Sequence, residues 1–143
     1  DILTDNDKIC GILIESVIKK GRLDAMIIGV GLNVNQTNWT NLPRATSIKT
    51  QTGIHFKLEE ILHMLLEQFK HYVDLLLKRE FETIKVEYEN CLFKINKPAT
   101  FLKPTGEKFV GIIKGITHVG KLILLEEDDI LNEYDLKELQ LLY

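Results

Sequence analysis

Two runs near the start of the chain are almost continuously apolar. Residues 9–17 read I-C-G-I-L-I-E-S-V, and residues 25–34 read A-M-I-I-G-V-G-L-N-V. Runs of this length, rich in β-branched side chains, predict strands. Between them lies K-K-G-R, residues 19–22, a charged segment with a glycine that predicts a turn and therefore an antiparallel pair. The pattern then changes. Residues 35–53, N-Q-T-N-W-T-N-L-P-R-A-T-S-I-K-T-Q-T-G, are polar and predict a long loop, a length that in compact domains usually carries function. From Lys57 to about Glu80 the apolar positions Leu58, Ile61, Leu62, Leu65, Leu66, Phe69, Tyr72, Val73 and Leu76 fall on one helical face. Glu59 and Glu60 sit in the first turn, where the helix dipole favours acid. A second helix is predicted over about 81–93. After Pro98 the period shortens again into the runs A-T-F-L-K, K-F-V-G-I-I-K-G-I and K-L-I-L-L-E-E, separated by P-T-G and H-V-G. These predict a small β-barrel, whose size near the lower limit for independent folding implies support from its neighbour.

Composition narrows the classes. The 143 residues are 45% hydrophobic with a formal net charge of −3, a globular balance without the clustered basic surface that nucleic-acid binding needs. No apolar run approaches the roughly 20 residues of a membrane span. Cys10 and Cys91 stand far apart in apolar surroundings, which predicts reduced core thiols in a cytoplasmic protein. The histidines are scattered, so no metal site is predicted. The acidic run 126–129 is read as a solvated turn. The chain opens at Asp1 without methionine, which is expected of a piece of a longer protein.

Three glycines interrupt the two apolar runs. Glycine inside a strand loses packing and backbone entropy, and marks either tight packing or a place where a ligand meets bare main chain. Gly11, Gly29 and Gly31 fit both readings equally. G-V-G-L-N-V lacks the third glycine and the following helix of a dinucleotide fingerprint. Lys8 precedes Gly11 by three residues and could set an ammonium over an anion on that floor; alone it reads as a solvated strand-end lysine. Asn33 is equally a turn amide or a hydrogen-bonding group at the mouth of the site. Trp39, the single tryptophan, reads as a loop anchor more readily than as a lid over a ligand.

The order N-D-x-K-I-C-G-I-L-I-E-S, then I-I-G-V-G-L-N-V-N, then a polar loop closing in A-T-S-I, then a long amphipathic helix resembles the biotin protein ligases over essentially the whole chain. The resemblance implies an α+β fold: part of a mixed or antiparallel sheet with two helices, of the class II synthetase and biotin-ligase type, in residues 1–94, followed by an SH3-like β-barrel in residues 95–143. It implies ATP-dependent activation of biotin to biotinyl-5′-AMP and transfer to a lysine of a biotin carboxyl carrier domain, with magnesium on the nucleotide. Lys8 would be the catalytic cation and would bind biotin together with Gly11, Leu13, Gly29 and Gly31. Asn33 and Trp39 would contact the nucleotide, and the loop from about Gln36 to Ser47 would order over the adenylate. The family's arginine- and glycine-rich phosphate loop precedes a Lys-Trp-Pro-Asn-Asp motif, of which Asp1 matches the last residue. The chain alone is therefore expected to be inactive. A lipoate or octanoyl ligase and a non-catalytic dimerisation or docking module are the competing readings. A homodimer is left open, and whether a DNA-binding domain precedes the chain is not read from it.

Overall fold

The computed structural model describes residues 1–135 and 137–143, with every side chain among them except that of Asp128. Residues Asp1–Glu67 form one compact unit and Gln68–Tyr143 a second.

In the first unit, β1 (Ile2–Thr4), β2 (Asp7–Lys19) and β3 (Arg22–Leu32) form an antiparallel sheet in the order β1-β2-β3. The predicted pair is present, with β2 longer than expected at both ends, β3 starting earlier but ending at Leu32 rather than Val34, and β1 an addition. Its turn is made by Lys20 and Gly21, with φ of 50° and 73°. Two successive left-handed residues match the twist of a two-residue hairpin, which is why glycine stands there. β3 is followed by an irregular stretch and then α1 (Ile48–Thr52). The end of the predicted loop is thus helical, because Ser47 caps it: its Oγ accepts a hydrogen bond from the Thr50 N–H at 3.1 Å. Cys10, Val34, Thr46 and Ser47 are buried. The face of β2 and β3 bearing Ile12, Ile14, Met26, Ile28 and Val30 is apolar and exposed.

The predicted long helix is α2 (Leu58–Leu77), which begins in the first unit and ends in the second, and the shorter one is α3 (Phe81–Asn90). Beyond them β4 (Pro98–Leu102), β5 (Lys108–Ile116), β6 (Leu122–Leu125), β7 (Leu131–Tyr134) and β8 (Gln140–Leu142) form an antiparallel sheet ordered β7-β6-β5-β4-β8. β4, β5 and β6 fall where expected, β7 and β8 are additions, and the predicted barrel does not close. β7 and β8 are the two edges of an open five-stranded sheet, and these edge strands, only four and three residues long, exchange no ladder among the described residues. Phe101, Ile113 and Leu124 form its core.

Two polar contacts organise this unit. Gly115, at φ 148°, sits where the β5–β6 register shifts. A side chain there would collide with the Glu89 carboxylate, which accepts the Ile116 N–H at 2.8 Å. The bulge thus lets α3 dock through a charged acceptor. Glu126, read from sequence as solvated, accepts hydrogen bonds from the Tyr134 hydroxyl and from the Asn132 amide. Cys91, expected in the core, is exposed at the end of α3. Burial, reinforced by the Glu126 hydrogen bond, pushes the Tyr134 hydroxyl up to about 12.

Two outcomes follow in the full chain. Glu89→Ala leaves the Ile116 N–H without its acceptor and is expected to cost about 1–3 kcal/mol in urea titration. Tyr134 holds its proton more tightly folded than unfolded. Its contribution is fully present below the unfolded value near ~10 and is lost as pH rises toward about 12. Tyr134→Phe should flatten the stability profile across that window.

Candidate functional site

The β2–β3 register places Gly11 opposite Gly31 and Leu13 opposite Gly29. Directly paired residues share a face, and every second residue along a strand returns to it. Gly11, Leu13, Gly29 and Gly31 therefore lie together on one side of the hairpin, with Leu13 the one side chain among four adjoining positions. None of the three glycines has the positive φ that would demand glycine, and a Cβ at each would meet no atom closer than 3.6 Å. Neither backbone conformation nor packing within this chain requires their bareness. The tight-packing explanation falls within this chain, and an open strip of main chain remains.

Lys8 would point to the opposite face if β2 were regular. It does not, because Ile2 pairs with Cys10 while Leu3 pairs with Lys8, leaving Ile9 as an extra residue. A bulge of this kind re-aims the side chains that precede it. The Lys8 Cε and Nζ come to 3.6 Å from where a Cβ on Gly11 would lie, so the ammonium overhangs the end of the strip. Its partner is the Asp1 carboxylate at 2.7 Å.

The main chain of Lys8 is held by the returning loop. Its N–H donates to the Arg44 carbonyl at 2.7 Å, and its carbonyl accepts the Thr46 N–H at 3.0 Å, forming a parallel bridge to Ala45. The other end of the loop is fixed next to it. The Asn33 N–H donates to the Ile9 carbonyl, and the Ile48 and Lys49 N–H groups donate to the carbonyls of Asn33 and Val34. Arg44 to Ile48 is thus a clasp: Arg44 and Thr46 grip Lys8, Ser47 caps α1, and Ile48 ties α1 to the end of β3. The Gln51 amide donates to Thr46 Oγ1 at 2.9 Å, fixing the buried threonine.

Asn33 continues the alternation of Gly29 and Gly31, and its side-chain amide has no hydrogen-bond partner among the described residues. Trp39 is half-buried, with its indole N–H buried and without a hydrogen-bond partner among the described residues. Sequence reasoning missed two residues here. Asp1 is one, and pairing over seven positions left no short-range signal. Asn35 is the other: its amide donates to the Phe56 carbonyl and accepts the Phe56 N–H, clamping the segment that leads into α2. Burial raises the Cys10 thiol above its ordinary range, against the opposing pull of the amino terminus and of Lys8, so Cys10 is a protonated packing group beneath the site. No group of three or more potential metal-ligating side chains occurs among the described residues, and no described helix is long and apolar enough to cross a membrane.

A bare strip on two paired strands, a cation over one end and a long loop anchored on both sides of that cation define a candidate small-molecule seat. No family model matches. The chain is 32% identical over 142 residues to the bifunctional ligase/repressor BirA of Bacillus spizizenii, covering 94% of this chain and 42% of that protein. Among solved structures, the apo biotin protein ligase of Aquifex aeolicus superposes with a TM-score of 0.76 at 24% identity, covering 97% of this chain and 60% of that one. The same enzyme in complex with biotin and ATP superposes with a TM-score of 0.75 at 23% identity. Over nearly its whole length the chain is similar to part of a biotin protein ligase, in sequence and in fold. It spans about two fifths of the length of the curated relative it matches.

If the clasp sets the position of Lys8, Ser47→Ala should loosen both together. The expected loss is about 1 kcal/mol for the cap, read by chemical denaturation, with faster hydrogen exchange at the Lys8 and Thr46 amides than at mid-strand amides of β2.

Proposed function

We propose that this chain supplies the biotin seat and the activating cation of an enzyme that joins biotin to a carrier-domain lysine through biotinyl-5′-AMP. The observation that carries the reading is the strip itself. Gly11, Gly29 and Gly31 are bare for no reason internal to the chain, and Lys8 overhangs its end. A cis-fused bicyclic ring system with an alkyl chain would lie against main chain and Leu13, with its carboxylate reaching the ammonium.

The chemistry explains the cation. The biotin carboxylate attacks the α-phosphorus of ATP, a bond forms from carboxylate oxygen to phosphorus, and pyrophosphate leaves. Both reactants are anions, so a positioned ammonium between them offsets their repulsion and stabilises charge gathering on the phosphoryl oxygens. On this reading Asn33, at the exit of β3, would hydrogen-bond the nucleotide, and Trp39 in the 36–47 loop would contact its base. Magnesium would arrive on the triphosphate, since the ion keeps most of its ligands from phosphates and water and no protein cluster is built for it among the described residues. A loop closing over the mixed anhydride would exclude water until the carrier lysine attacks the acyl carbon and AMP leaves.

On the same reading, residues 1–94 belong to the catalytic domain and 95–143 to a small separate domain, and the partner is a biotin carboxyl carrier domain. Two free cysteines suit a reducing cytoplasm. The 143 residues contain no arginine- and glycine-rich loop, so the isolated polypeptide should show little or no carrier biotinylation beside the full-length enzyme. In calorimetric titration of the full-length protein with biotin, saturable heat should be weakened at least about tenfold by Lys8→Ala through loss of the charge pair. Gly29→Val, which fills the strip, should weaken it comparably. Unchanged binding in both variants, with folding verified by circular dichroism, would refute the reading.

A further inference from the structure

One face of α3 carries Phe81, Ile84, Lys85 and Tyr88, the spacing of an apolar helical stripe with a lysine set inside it. Together with Leu76 of α2 and Ile116 at the end of β5, this face lines a cleft of about 600 Å³ within the second unit. Small-molecule sites occupy roughly 300–1,000 Å³ and combine apolar and aromatic walls with a few polar groups. Phe81 and Tyr88 are each about half exposed, so two rings on the wall keep free surface.

The lysine is the unusual member. Its side chain is only 27% exposed, and its ammonium makes no hydrogen bond among the described residues. The Glu89 carboxylate lies 3.9 Å away, and the same oxygen already accepts the Ile116 N–H at 2.8 Å. An ammonium has three protons to donate and no acceptor of its own, so this one is left short of partners beside an apolar wall. His118 stands at the mouth, with the Glu82 carboxylate 4.0 Å away and both side chains largely exposed. No carboxylate lines the cleft among the described residues. The charge a ligand meets inside it is therefore positive.

We propose that this cleft binds a small aromatic carboxylic acid, its ring against Phe81, Tyr88 and Ile116 and its carboxylate on the Lys85 ammonium. The two aromatic walls favour a ring over a flexible chain, because ring faces and edges pack with defined geometry. The site lies in a different unit from the glycine strip and does not rest on the biotin reading.

The test titrates the full-length protein with naphthoate and with neutral naphthamide by calorimetry, with and without saturating biotin. Naphthoate should bind saturably and at least about tenfold more tightly than the amide, as a hydrogen bond to a charged group allows. Lys85→Met, which keeps the apolar stem, should remove that preference, and Lys85→Arg should restore most of it. Biotin should leave naphthoate binding unchanged. Absence of saturable naphthoate binding in the wild type overturns the proposal. Equal affinity for acid and amide overturns it too, since that is unspecific apolar adhesion. Equal losses in Lys85→Met and Lys85→Arg, with folding verified by circular dichroism, also overturn it, since charge is then not what binds. Displacement of naphthoate by biotin overturns it by placing both acids at one site. Self-association that Lys85→Met abolishes, without naphthoate binding, assigns the cleft to a second copy of the chain and overturns it as well.

Discussion

The site depends on a backbone contact. Lys8 is gripped through its own N–H and C=O by Arg44 and Thr46, two residues that arrive from the far side of a long loop. Side-chain ion pairs at a surface hold little in place, whereas a paired peptide group fixes the direction of the Cα–Cβ bond. The bulge at Ile9 then decides which face that bond serves. One extra residue in β2 converts a strand-end lysine that would point away from the glycine strip into a cation that overhangs it. The glycines, the loop and the cap of α1 converge on this one residue.

Most of this was legible in the chain, and the reasons differ by element. The hairpin announced itself through two apolar runs and a left-handed turn at Lys20–Gly21. The long helices announced themselves through a sustained apolar row. The glycine strip was visible as a choice between two explanations, and only the register and the space above each glycine showed that close packing among the described residues does not account for it. α1 was hidden because one isoleucine followed by four polar residues carries no period; its one signal was Ser47, whose hydroxyl caps the turn. The bulge at Ile9 could not be read, since an extra residue in a strand changes pairing without changing composition. The open edges of the second sheet were likewise invisible, because strand spacing predicts how many strands form and not whether the first meets the last.

The second unit shows the same economy with different parts. There too a register shift, at Gly115, creates the space that a functional group occupies, and the Glu89 carboxylate fills it with a hydrogen bond to the Ile116 N–H. In one unit the irregularity directs a cation outward to a surface. In the other it receives an anion and ties a helix to a sheet. Both irregularities interrupt ladders of hydrogen bonds, and in both the interrupted group recovers a partner, so little is lost in leaving regular geometry.

The pinned ends of the segment between Asn33 and Thr46 have one more implication. Its two feet stand on neighbouring residues of β2, Ile9 and Lys8, so the stretch between them is a closed arch over a span that does not change. Lengthening such an arch adds only a logarithmic entropy term, about 0.6 kcal/mol for each doubling. The crown can therefore drift in size and composition across evolution while the footing, and the ammonium beside it, stays where it is.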